Sequence, residues 1–234
     1  MTSDDVVLAE SVLPPGREHL ENIALMINEV TTRARVGLKD IDGFGVAIGP
    51  GSFSGIRIGL ATVKGMALAL KKTIAGIPSL EILAWQALNE GESGVSLIDA
   101  RRREIYVGTY RKSAGNMTQL DSPRLVSQEN LTALIEELPE APVLCGDSAA
   151  GPAMQAVASV ARKIVVTPSA AACGILAWRR LSEGKREDLH SIAPLYIRRS
   201  DAEEKRSAGQ GREEQSGEPF FLQKRVPRTP PKKL

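Results

Sequence analysis

Between Ile48 and Leu70 the chain passes from an apolar strand through a glycine-rich turn into a helix with almost no polar face. The turn reads Gly49-Pro50-Gly51-Ser52-Phe53-Ser54-Gly55. A strand that hands over to a helix in this way presents unpaired backbone N–H groups at the helix start, and these attract an anion such as phosphate. Glycine supplies the positive φ angles and close backbone approach that the geometry needs. Ser52 or Ser54 can cap the helix or donate to the anion. The familiar phosphate loops do not match. A Walker A loop needs Gly-Lys before Ser or Thr, whereas Gly55 is followed by Ile56-Arg57. In the dinucleotide fingerprint the glycines are more closely spaced, and an acid stands about 20 positions further on; Lys71 to Ser79 holds none. On spacing alone, anion binding by Gly49, Gly51, Ser52, Ser54 and Gly55 and a tight structural turn carry equal weight.

The helix behind the turn constrains the fold further. Ile56, Ile58, Leu60, Ala61, Val63, Met66, Ala67, Leu68, Ala69 and Leu70 put apolar residues nearly all round it. A helix apolar on every side has to be buried on every side. One face can pack on a sheet, and the other needs a second helix, from this chain or a partner. Gly55, Gly59 and Gly65 would let another backbone approach closely. Arg57, Lys64 and the glycines make the stretch a poor membrane span.

Elsewhere, strands and helices alternate. Val6 to Ala9 reads as a strand, and a helix from Glu18 carries Leu20, Ile23, Ala24, Ile27, Val30 and Ala34 on one stripe. Phe44 to Ile48 and Thr73 to Ile77 are strands, and Ser79 or its neighbour caps a helix over Leu80 to Ala87. Past Gly91 to Gly94, the runs Val95 to Asp99 and Glu104 to Tyr110 flank the basic turn Arg101-Arg102-Arg103. Helices follow at Leu131 to Leu138, Ala153 to Ala161 and Ser169 to Leu181, with strands at Val143 to Cys145 and Ile164 to Val166. The alternation predicts an α/β fold in two lobes, residues 1–92 and 93–200. From Asp201 to Leu234 the chain is charged, Gly/Ser-rich and poor in apolar residues, which predicts a disordered tail.

Composition excludes little. Thirty basic and 28 acidic residues among 234 leave a net charge of +2, which argues for no particular partner. Aromatic residues make up 4%, so stacking platforms for single-stranded RNA cannot be numerous. Cys145 and Cys173 lie in apolar or small-residue surroundings and read as buried, reduced thiols rather than a disulfide or metal pair. The start MTSDDVVLAES has no long apolar run and does not read as a signal peptide, which points to the cytoplasm.

GPGSFSGIRIGLATVKGMALAL resembles the hallmark of the TsaB (YeaZ) family, a bacterial subunit for tRNA threonylcarbamoyladenosine biosynthesis, once called glycoprotease-like. Further matches follow in chain order: Arg17-Glu18-His19, Ile77-Pro78-Ser79-Leu80, Asp99-Ala100-Arg101 with Glu104-Ile105-Tyr106, Gly146-Asp147, and Pro194-Leu195-Tyr196-Ile197-Arg198. They cover about Val6 to Arg199. The resemblance implies an actin-like ATPase fold (the Hsp70, actin and sugar-kinase group, ribonuclease-H-like) in two lobes, and a scaffolding role without catalytic residues. It implies pairing with a TsaD-like paralogue, which transfers a threonylcarbamoyl group to the adenosine beside the anticodon of tRNA. A TsaE-like ATPase joins that complex, and a homodimer is open to the chain alone. ATP and metal are expected on the partner subunits and no cofactor on this chain. Pairing would use the helices Glu18 to Arg35 and Gly55 to Leu70, with Leu25, Ile56, Leu60, Val63, Met66 and Ala67 at the interface.

An enzyme reading finds less support. Catalytic paralogues carry two histidines four residues apart on one helix face, whereas this chain has only His19 and His190, with Ile23 four residues after His19. No local Ser-His-Asp or Cys-His signature stands out. Asp99 and Asp147 end β-like runs, where actin-like folds place nucleotide-site groups, although turn capping is the favoured reading of such carboxylates. An independent enzyme of the sugar-kinase type and a peptidase are therefore the alternatives. The family's first strand, ending in Asp-Thr-Ser, has no counterpart before Val6. Its absence is expected to leave a sheet neighbour unpaired, so that either the true start lies upstream or a truncated chain leans on its partner for stability.

Overall fold

The computed structural model describes residues 1–3, 5–13, 19–138, 140–158 and 160–198. The segment Arg17-Glu18 and the predicted tail lie outside them. In chain order the elements are β1 (Thr2–Ser3), β2 (Val6–Val7), α1 (His19–Ala34), β3 (Gly43–Gly49), α2 (Phe53–Leu70), β4 (Thr73–Pro78), α3 (Ser79–Ala87), β5 (Ser93–Asp99), β6 (Glu104–Ser113), β7 (Asn116–Ser127), α4 (Gln128–Glu136), β8 (Val143–Gly146), α5 (Gly151–Ala156), β9 (Arg162–Val165) and α6 (Ala170–Ser182).

Five strands form one mixed sheet in the order β7-β6-β5-β8-β9. The first three are antiparallel and β5, β8 and β9 are parallel. Alternation along each strand divides its side chains between two cores. Val95, Leu97, Ile105, Val107 and Leu144 face Leu131 and Ile135 of α4 and Ala153 and Met154 of α5. Ile98, Tyr110, Val143 and Cys145 face Leu80, Leu83, Ala84 and Ala87 of α3. With both faces covered, the central strand β5 is buried from Gly94 through Ile98, as expected for the parallel part of a sheet.

A second sheet consists of β3 and β4, paired in parallel from Gly43↔Thr73 onward. One face meets α2 through Val46, Ile74, Leu60 and Ile192. The other meets α6 and α3 through Ala75, Ile77, Ile82, Ala172, Cys173, Leu176 and Ala177. Close packing of α6 requires glycine in β3, since a Cβ on Gly45 would stand 2.4 Å from the Ala177 methyl. Because α3 contributes to the cores of both sheets, Met1–Ile197 forms one compact unit. The change from one sheet to the other falls just before Ser93, yet the chain later returns to the first sheet. It does so through α6, a bridge from Ile74 to Glu187, and a bond from the Leu195 amide to the Ile48 carbonyl (2.8 Å).

The sequence did not indicate β7, because Asn116–Ser127 is polar and mostly exposed at the sheet edge, where Pro123 is tolerated. Helix α5 stops at Ala156, short of the expected Ala161. Pro78, without a side-chain cap, precedes α3, while Ser79 is buried. Val6 and Val7 pair with Thr2 and Ser3 rather than with β3. Among the described residues, no strand pairs with β3 on the side away from β4. Both thiols are buried and free, and desolvation pushes Cys145 to about 11 and Cys173 to about 12, leaving them unreactive near neutrality.

Candidate docking face and glycine-rich turn

The turn between β3 and α2 is held from three sides. Ser52 caps α2 by accepting from the Gly55 amide at 3.3 Å. Gly49 adopts φ +104°, a left-handed value that an L side chain rarely takes. It lies between Ile56 and the Leu195 carbonyl, which a Cβ would approach to 2.9 and 3.4 Å respectively. Ser54 is exposed and Gly51 lies at the surface. Capping and close packing thus account for Ser52 and Gly49 without a ligand. Replacing Gly49 with alanine is expected to destabilise the chain by about 2 kcal/mol, read as a fall of about 5 °C in the melting midpoint.

Helix α2 lies over this turn, and its faces are now distinguishable. Leu60 is 5% exposed and Ala67 fully buried, both within the chain's own core, with Val63 half-buried against it. These residues, expected at a partner interface, instead seal the β3–β4 sheet. An all-apolar helical wheel could not show which side would do so. The outward side carries Ala61, Gly65, Leu68 and Ala69, all exposed, with Leu68 at 67%. No atom comes within 4 Å of a Cβ built on Gly59 or Gly65. Ile56 is half-buried, and Met66 with Thr62 lines a cavity of about 780 Å³ against Ile23, Ile27, Val36 and Leu38. Helix α1 runs along this cavity and leaves Leu25 67% exposed.

By length and composition alone α2 is apolar enough to cross a membrane, so its charges and glycines disqualify it less than expected. Both charges are nevertheless tied into the fold. Lys64 donates to the Ile192 carbonyl (3.1 Å) and Arg57 Nε to the Tyr196 hydroxyl (2.8 Å). An apolar helix packed on one side and open on the other matches the surface of a protein that docks a second helix.

The other candidate positions lie at one end of the five-stranded sheet. β5 and β8 are parallel neighbours, with Asp99 the last residue of β5 and Asp147 the first after β8, and the Asp147 amide donates to the Leu97 carbonyl. Asp99 Oδ1 accepts from the Arg101 amide at 3.2 Å, and Asp147 Oδ1 from the Ala150 amide at 2.8 Å. Both carboxylates therefore hold turns. Arg101, Arg102 and Arg103 all adopt positive φ; the Arg103 carbonyl accepts from Gln128, and its guanidinium pairs with Glu129 in the open. His190 lies in an exposed loop where its amide donates to Asp188. Among the described residues, no three His, Cys, Asp or Glu side chains are grouped as a metal site would require.

A mixed five-stranded sheet covered by helices on both faces, beside a second parallel pair, defines an α/β protein consistent with the actin-like, ribonuclease-H-like fold. Residues 7–206 match the family model described as TsaD, tRNA N6-adenosine threonylcarbamoyltransferase. The TsaB protein of Escherichia coli (strain K12), a tRNA threonylcarbamoyladenosine biosynthesis protein, is 34% identical over 113 residues, 47% of this chain and 48% of that protein. That of Bacillus subtilis (strain 168) is 26% identical over 205 residues, 86% of this chain and 89% of the relative. Among solved structures, YeaZ from Pseudomonas aeruginosa superposes with a TM-score of 0.68 at 27% identity, covering 80% of this chain and 86% of the other. The chain belongs to the TsaD family, within its TsaB (YeaZ) group. Its matches to the E. coli and Haemophilus influenzae TsaB proteins span only 48% and 39% of their lengths.

Proposed function

We infer that this chain is a non-catalytic scaffold subunit in tRNA threonylcarbamoyladenosine biosynthesis. It pairs with a TsaD-like paralogue to support threonylcarbamoyl transfer to the adenosine next to the anticodon. The observation that carries this reading is the outward face of α2, where Ala61, Gly65 and Ala69 recur every fourth residue beside the exposed Leu68. Small residues at that spacing let a second helix approach closely. Burying a leucine of this kind contributes about 2 kcal/mol, and Leu25 of α1 is exposed to the same degree as Leu68.

Chemistry is assigned to the partners, with ATP and metal on the TsaD-like and TsaE-like subunits and tRNA engaged through the assembly. Supporting this, Asp99 and Asp147 are engaged in local turns, and the sequence lacks a histidine pair. Other finer points of this reading are two actin-like lobes, a cytoplasmic location and a homodimer when no partner is present. Reconstitution tests the function. A TsaD-like subunit with a TsaE-like ATPase and a threonylcarbamoyl donor should modify tRNA only when this chain is added. Equal modification without it would overturn the reading, as would ATP turnover by the isolated chain at an enzymatic rate.

A further inference from the structure

Arg57 in the second turn of α2 and Tyr196, 139 positions later, meet on the surface through a 2.8 Å bond from Nε to the phenolic oxygen. The Arg57 guanidinium carbon lies 3.8 Å from the centre of the Phe53 ring and 5.7 Å from that of Tyr196. The two rings are 6.0 Å apart, tilted by 36°. The Leu195 amide, bonded to the Ile48 carbonyl, fixes the second segment against the end of β3. Phe53 is 49% exposed and Tyr196 51%. Among the described residues these two are the exposed aromatic side chains; Phe44, Trp85, Tyr106 and Trp178 are half-buried and Tyr110 is fully buried. A chain with so few aromatics thus leaves two of them open at one spot, around an arginine.

The surrounding charge favours an anion. Helix α2 carries Arg57 and Lys64 and no acid, and residues 189–197 carry no acid either. Stacking on Phe53 and the Nε bond to Tyr196 hold the Arg57 guanidinium in place. Neither Nη group has a partner among the described residues. An apolar protein surface laid on this patch would bury those N–H groups unpaired, which is unfavourable. An unpaired nucleotide satisfies both halves, its base against a ring face and its phosphate on the Nη edge.

We propose that Phe53, Arg57 and Tyr196 form a stacking platform for an unpaired nucleotide of the tRNA, at the start of the docking helix. The inference rests on the role in tRNA modification given above but assigns RNA contact to this chain itself. It is tested by fluorescence anisotropy of the full chain with a fluorescein-labelled anticodon stem-loop, and with a fully paired RNA duplex of equal length, across a salt series. The stem-loop is expected to bind more tightly than the duplex. Phe53→Ala and Tyr196→Ala should each weaken stem-loop binding about tenfold, whereas Tyr196→Phe should retain most of it. Arg57→Gln should weaken binding and lower the salt slope by about one. Thermal melts confirm that each variant folds.

Stem-loop affinity unchanged in the Phe53→Ala/Tyr196→Ala double variant would overturn the proposal. So would unchanged affinity with loss of TsaD-like partner capture, which would make the patch a protein contact. The Leu68→Glu chain separates this proposal from the pairing itself, because it should lose the partner and keep the RNA. If the wild-type chain captures no partner yet its RNA affinity depends on the two rings, the pairing reading fails and the platform stands.

Discussion

Leu68→Glu is expected to reduce capture of a TsaD-like partner at least a hundredfold while shifting the chain's own melting midpoint by no more than a degree or two. Leu68 is 67% exposed on the outward side of α2, so the substitution removes little from the folded monomer. A partner helix laid on Ala61, Gly65 and Ala69 would have to bury the new carboxylate without a counter-charge, which costs several kcal/mol. Leu60→Glu would behave in the opposite way. Leu60 belongs to the core under β3 and β4, and a carboxylate there would unfold the chain before any pairing could be measured. Two leucines on one helix thus separate docking from folding.

Arg180→Ala should cost the fold about 3 kcal/mol at neutral pH, the largest expected loss of stability from a single charged side chain. Arg180 donates to the buried Glu81 carboxylate at 2.6 Å and to the Gly76 carbonyl, and so ties α6 to α3 and β4. Desolvation raises the Glu81 carboxyl above its ordinary value, and the neighbouring Arg180 opposes that rise. A folded-state pKa above the unfolded one means that this group's contribution to stability is complete below the unfolded value. It is lost as pH rises through the folded value. Without Arg180 the rise is larger, so the variant should be weakest near pH 7 and recover as pH falls towards 5. Glu81→Gln in the same background should remove most of the pH dependence and part of the loss. Urea melts at several pH values measure both effects, and a loss independent of pH would locate the Arg180 contribution in packing instead.

Much of this architecture is legible in the sequence, because strong periodicity and punctuation coincide. Pro78, the Gly91 to Gly94 turn and the apolar stripes locate α2, β4, α3, β5 and α6 to within about two residues, and the start of β6. The failures have physical causes. β7 is a polar, mostly exposed edge strand, so it lacks the alternation that identifies a half-buried strand. Helix α2 is apolar all round, which announces burial on two sides without saying which side the chain itself covers. Leu60 and Ala67 could therefore be taken for docking residues when they belong to the core. The pairing of Arg57 with Tyr196 depends on the return of the C-terminal segment to β3, a contact between residues 139 positions apart. No local pattern encodes such a contact. The glycine-rich turn stands between these extremes. Its shape was legible, and the structure adds that Gly49 and Ser52 are engaged in packing and capping α2.

Pairing is tested most directly by the mass of the assembly formed when this chain is mixed with a TsaD-like subunit, measured by size-exclusion chromatography with light scattering. The wild type and Tyr196→Phe should each form a complex containing one copy of each chain, and Leu68→Glu should give separate species. Separate elution of the wild-type chains, or an undiminished complex with Leu68→Glu, would contradict this pairing.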